Sequence, residues 1–135
     1  MNKTALLTAR IGMILYIALI VFLCFGHFSQ PPQAPRTLLG IETDKIVHFL
    51  MFLPFPVLTW LSVGKEPDGP WKALGLVLLI FFCGSLVAAA TELGQGFTSY
   101  RTTDPKDFLA DTAALAIGSL LVFIKMLVKG ARSAR

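Results

Sequence analysis

Four long apolar runs alternate with short polar segments along the chain: residues 11–28, 46–63, 73–90 and 108–128 are greasy, and what joins them is not. A helix that spans a bilayer needs about 20 predominantly apolar residues, and each run meets or approaches that length. The connections are a Pro-rich loop, SQPPQAPRTLLGIETD (29–44), a tight polar turn, GKEPDG (64–69), and a longer polar stretch, TELGQGFTSYRTTDPKDFLAD (91–111). This pattern predicts an all-α protein, a transmembrane bundle of four helices forming a single domain over residues 1–135. Lys3 and Arg10 precede the first run as they would in a signal peptide, but its apolar core is long and no small-x-small cleavage site follows, so a retained helix is expected.

Two further patterns describe how the helices pack. Ala110, Ala114 and Gly118 recur every four residues along the last run, as Gly84 and Ala88 do along the third; small residues let helix backbones approach closely in lipid. Pro54 and Pro56 interrupt the second run, where each removes an amide donor and crowds the carbonyl four residues back, those of Leu50 and Phe52. A bend or local unwinding is expected there.

Composition places these helices in a membrane rather than in a soluble core. Of 135 residues, 55% are hydrophobic and only 15% charged, with a mean hydropathy of +0.70, outside the usual range of soluble domains. The pI near 9.3 does not point to nucleic acid, because the basic residues flank the apolar runs, where topology explains them. Lys3, Arg10, Lys65, Lys72, Lys125, Lys129, Arg132 and Arg135 fall on the side that holds both termini. Arg36, Lys45, Arg101 and Lys106 fall on the other, together with six of the eight acids. Eight cations against four predict cytoplasmic termini and an extracytoplasmic polar stretch. Cys24 and Cys83 each lie alone in an apolar run and read as small apolar fillers.

The chemistry gathers at that outer side. Asp44 and His48 are four apart at the start of the second helix, Glu92 and Gln95 three apart at the end of the third, Asp107 and Asp111 four apart at the start of the fourth. Each pair therefore shares a helical face. Asp44 is expected at or near the N-cap and as the partner of His48, whose ring sits one turn into the apolar region. Asp104 and Pro105 read as the N-cap and first residue of the last helix, with Asp107 at the third. Ionisable groups at membrane depth are costly unless they pair or reach water, which makes them functional candidates.

Together, D-K-x-x-H (Asp44, Lys45, His48), E-x-x-Q (Glu92, Gln95), Arg101 and D-x-x-x-D (Asp107, Asp111) before a small-residue helix resemble the VanZ-like family of small bacterial membrane proteins. The resemblance runs from about Asp44 to Gly118. Asp111 stands where the family usually has Asn, and Ala114 at its first glycine place. The family takes its name from a member linked to low-level resistance to the glycopeptide teicoplanin, so the resemblance implies a bacterial inner membrane and a role in the cell envelope. It supplies no reaction and no cofactor.

Two functions fit these residues. One is a site, made of Asp44, Lys45, His48, Glu92, Gln95, Arg101, Asp107 and Asp111, for a polar or anionic envelope molecule such as a lipid headgroup or cell-wall precursor. Arg101 and Lys45 would meet phosphate or carboxylate there, and the acids and Gln95 would meet hydroxyls or amines. The alternative is a membrane enzyme acting on a lipid or isoprenoid phosphate, with His48, Asp44 and Glu92 as catalytic candidates. A divalent cation among Asp107, Asp111 and Glu92 enters only with that alternative, and the spacing itself assigns no metal ligand. The sequence has no serine or cysteine elbow, no Gly-rich phosphate loop and no HExxH, which favours binding. A proton or ion pathway ranks last, because the middles of the runs are nearly devoid of polar residues.

Overall fold

The computed structural model describes residues 2–26, 37–38, 40–98 and 103–133. Five α-helices make four membrane-spanning segments: α1 (Lys3–Phe25), α2 (Thr43–Phe52) with α3 (Phe55–Val63), α4 (Pro70–Gln95) and α5 (Pro105–Ser133). Before α2, two short strands, β1 (Thr37–Leu38) and β2 (Ile41–Glu42), pair antiparallel with Thr37 opposite Glu42. The turn between them uses Gly40 at φ +80, a conformation that favours glycine.

All four helical spans extend beyond their apolar runs, and capping residues explain by how much. Helix α1 starts at Lys3 instead of residue 11, because the Asn2 side chain accepts the Ala5 amide at 2.8 Å and closes the first turn. Helix α5 starts at Pro105, as the DP dipeptide predicts. The Asp104 carboxylate accepts the Lys106 amide at 2.9 Å, and its carbonyl accepts the Asp107 amide at 2.9 Å. Helix α4 likewise opens on Pro70 after Gly69 at φ +95, proline being suited to a first helical position where no amide is needed.

The second span breaks where its prolines fall. Helix α2 ends at Phe52 and α3 resumes at Phe55. Leu53 still donates to Phe49 and Leu58 to Pro54, both at 3.0 Å, so the interruption is local. The Tyr16 hydroxyl of α1 donates to the Met51 carbonyl next to the break, and its ring lies 6.5 Å from that of Phe55. On the other side Gly118 of α5 faces the break so closely that a β-carbon there would lie 2.8 Å from the Leu53 carbonyl and 2.9 Å from the Pro56 ring.

Packing follows the small-residue stripes. A β-carbon on Gly84 would come within 2.6 Å of Leu115, and Ala88 and Ala114 are fully buried. One apolar cluster, including Ile20, Phe52, Phe55, Ala88 and Leu115, lies beneath the end of the bundle that carries the polar residues. A second, of Trp60, Val77, Ile80, Val122 and Met126 among others, fills the opposite half. Large apolar side chains such as Ile14, Leu15, Phe82, Leu86 and Leu120 point outward and are mostly exposed. In water such a surface would aggregate; in a bilayer it is the lipid-facing belt.

Candidate functional site

The N-terminal ends of α2 and α5 and the C-terminal end of α4 meet at one end of the bundle and bring most of the candidate residues together. His48 is 3% exposed, Glu92 4%, Gln95 2%, Asp107 4% and Asp111 0%. Three carboxylates and an imidazole are therefore withdrawn from solvent within a few side-chain lengths of each other.

The centre is the pair His48 and Asp111. The ring nitrogen Nδ1 lies 3.2 Å and 3.3 Å from the two carboxylate oxygens, so the N–H donates into Asp111 and the ring is held in one orientation. This corrects the expectation that Asp44 partners His48. Asp44 stands exposed in the first turn of α2, the N-cap is Glu42, and the Glu42 side chain makes no capping hydrogen bond. Residues four apart on a helix share a face, but the ring of a histidine leans toward whichever helix packs there. Here that is α5, one helical turn below Asp107.

Around this pair runs a chain of charged contacts. Lys45 pairs with Glu42, lies 3.4 Å from Asp104 and 3.9 Å from Asp107. Asp104 in turn donates its backbone amide to Glu92 Oε1 at 2.6 Å, which ties α4 to the start of α5. The Lys106 amide, followed by Lys45, holds the Asp104 carboxyl below the usual carboxylate range, against an opposing contribution from burial. Two carboxylate oxygens in the cluster, Glu92 Oε2 and Asp107 Oδ1, are buried without a hydrogen-bond partner. Asp44, His48 and Asp107 each bring one donor atom to within 4.8 Å of the others.

Gln95 belongs to a different contact. Its amide donates to the Cys24 carbonyl at the end of α1, at 3.2 Å, and so clamps α4 to α1. Arg101 lies outside the described residues. Two participants were absent from the sequence expectations: Glu42, which shares Lys45, and Tyr16, which bonds the broken span. The signal for Tyr16 was a lone phenol in an apolar run; nothing in one sequence told that it faces Met51.

A multi-pass membrane protein whose four spans enclose a buried, acid-rich polar cluster at one end is the class that fold and site define. The VanZ/LLP1 family model matches residues 13–127, and the chain belongs to that family. No curated protein and no solved structure gives a significant match.

Proposed function

We propose that the polar end of the bundle binds a polar molecule of the bacterial cell envelope, a lipid headgroup or cell-wall precursor, on the outer face of the inner membrane. The observation that carries this reading is the pair of buried, unpartnered carboxylate oxygens, Glu92 Oε2 and Asp107 Oδ1, on two different helices. A buried acceptor without a donor costs about 1–3 kcal/mol, more when charged. A cluster made only to staple helices would satisfy both oxygens internally; a binding site leaves them for a ligand. Ionised carboxylates only accept, so the matching ligand presents hydroxyls or amines, with its phosphate or carboxylate toward Lys45 and Arg101. A link to teicoplanin tolerance follows from the family alone.

The orientation rests on the charge asymmetry: eight of the twelve cations lie on the side of the termini, which the positive-inside rule assigns to the cytoplasm. In a chain whose native Cys24 and Cys83 are replaced, cysteines placed one at a time at Ser99 and Ser133 are expected to be reached from outside intact cells at Ser99 and shielded at Ser133. The reverse pattern would overturn the topology. The binding reading is tested by extracting the purified protein and identifying copurifying polar lipids or precursors by mass spectrometry. One such species is expected with the wild type and is lost in Asp107→Asn. Its absence from the wild type, together with no uptake of added headgroups or precursors, contradicts the proposal.

A catalytic reading is the alternative, favoured by one feature: Asp111 orients His48 as a carboxylate orients a general base. Turnover of an isoprenoid phosphate or lipid by the purified protein, abolished in His48→Ala, would put it first.

A further inference from the structure

The cluster has a second property that recognition of an envelope molecule does not require. Asp44, His48 and Asp107 offer one nitrogen and two oxygen donors from two helices, all mutually within 4.8 Å. Asp107 is 4% exposed, and its Oδ1 is buried without a hydrogen-bond partner. The nearest cation, Lys45 Nζ, stands off at 3.9 Å. The geometry points to a divalent transition-metal site, built from Asp44, His48 and Asp107, with Asp111 as the residue that orients the imidazole.

The tautomer supports this assignment. Because Nδ1–H donates into Asp111, the lone pair of the neutral ring is on Nε2, where a metal is bound. A carboxylate behind a ligating histidine is the arrangement that fixes the ring and raises its basicity. One imidazole and two carboxylates suit Zn²⁺ or Mn²⁺. At metal–donor distances of about 2.1 Å, tetrahedral donors stand about 3.4 Å apart. Closing from the present separation needs side-chain rotation alone, mainly of exposed Asp44. A fourth position faces the mouth of the site.

Lys45 then has a definite role. Its ammonium shares Asp107 with the ion and is the charge that a metal displaces. If the binding reading above also holds, the ion is what lets an acid-rich mouth accept a phosphate; the metal site itself stands without that reading.

The test uses untagged full-length protein in detergent micelles, stripped with chelator and titrated with Zn²⁺ by calorimetry and with Co²⁺ by visible absorption. We expect uptake of one equivalent and a Co²⁺ spectrum of low-symmetry N/O coordination. Asp44→Asn, whose side chain is exposed and outside the packed core, is expected to keep the apo protein's elution volume and helicity while weakening binding at least tenfold. Asp111→Asn is expected to weaken it about 10- to 100-fold, as loss of a residue behind a ligand does, and Lys45→Met to tighten it. No stoichiometric uptake by the wild type overturns the site, as does uptake indifferent to Asp44→Asn and Asp107→Asn. Both outcomes are read without any lipid, so they are independent of whether an envelope molecule binds.

Discussion

The two ends of the bundle handle charge in opposite ways. At the basic end, Lys129 pairs with Glu66 at 2.5 Å with side chains 60% and 47% exposed, and Lys72 pairs with Asp68 on an exposed turn. Lys125 lies over the Trp60 ring at 5.0 Å, and Arg10 Nε donates to the Ser62 carbonyl at 3.3 Å. These long side chains reach toward the interface with their charges in or near water. At the acid end, His48, Glu92, Asp107 and Asp111 are withdrawn into the protein. Short acidic side chains cannot snorkel as lysine does, so placing them inside helices commits them to burial. The basic end is organised for topology and the acid end for contact with something else.

The largest expected contrast between the ends comes from deleting one partner of each ion pair. His48→Ala leaves the Asp111 carboxylate buried and unpaired, and should destabilise the protein by about 3–5 kcal/mol. Lys129→Ala removes an exposed pair, and should cost under about 1 kcal/mol. Denaturant unfolding in micelles checks both. Equal losses would erase the distinction between the ends.

Next in size is the seam that holds the acid end in shape. Gly118 packs against the Leu53 carbonyl and Pro56 where the second span is broken. Gly118→Val forces α5 away from that break, and overpacking of this kind costs about 1–3 kcal/mol. The same change at Gly75, where a β-carbon meets nothing within 4 Å, should cost much less, leaving only the reduced helix preference of a β-branched residue.

The smallest effect is a pH dependence confined to the acid end. Asp104 caps α5 with a carboxyl whose folded value lies below its ordinary 3.8. A depressed value means that the stabilisation is present above the ordinary carboxylate range and is lost as pH falls through the folded value. Acid unfolding of the wild type should therefore include a component that Asp104→Asn lacks, since Asn caps without titrating. Identical acid profiles for the two proteins would remove Asp104 from the charged network.

Much of this was legible in the sequence because the signals were local. Apolar run length gave the four spans, Pro54 and Pro56 gave the break, and Asp104–Pro105 gave the start of α5. Helical spacing put Glu92 with Gln95, and Asp107 with Asp111, on common buried faces. The partner of His48 was not legible. Asp111 is 63 residues away along the chain, and one sequence carries no distance between helices; the nearer acid, Asp44, was the natural but wrong choice. Gln95 was misplaced for a related reason: spacing showed that it faces inward, but not that α1 would present the Cys24 carbonyl there. The early start of α1 was hidden because apolar pattern marks where lipid begins, whereas Asn2 marks where hydrogen bonding begins.

The claim that the acid end serves a ligand is tested most directly by neutralising the two carboxylates that have unpartnered oxygens, in the double variant Glu92→Gln with Asp107→Asn. Gln keeps an acceptor for the Asp104 amide, so folding contacts survive while buried charge is removed. The account predicts an unfolding free energy equal to or above that of the wild type, with loss of the copurifying envelope molecule. A loss of about 3–5 kcal/mol, as for a broken buried ion pair, with the envelope molecule still bound, would show that these carboxylates hold the helices together and nothing more.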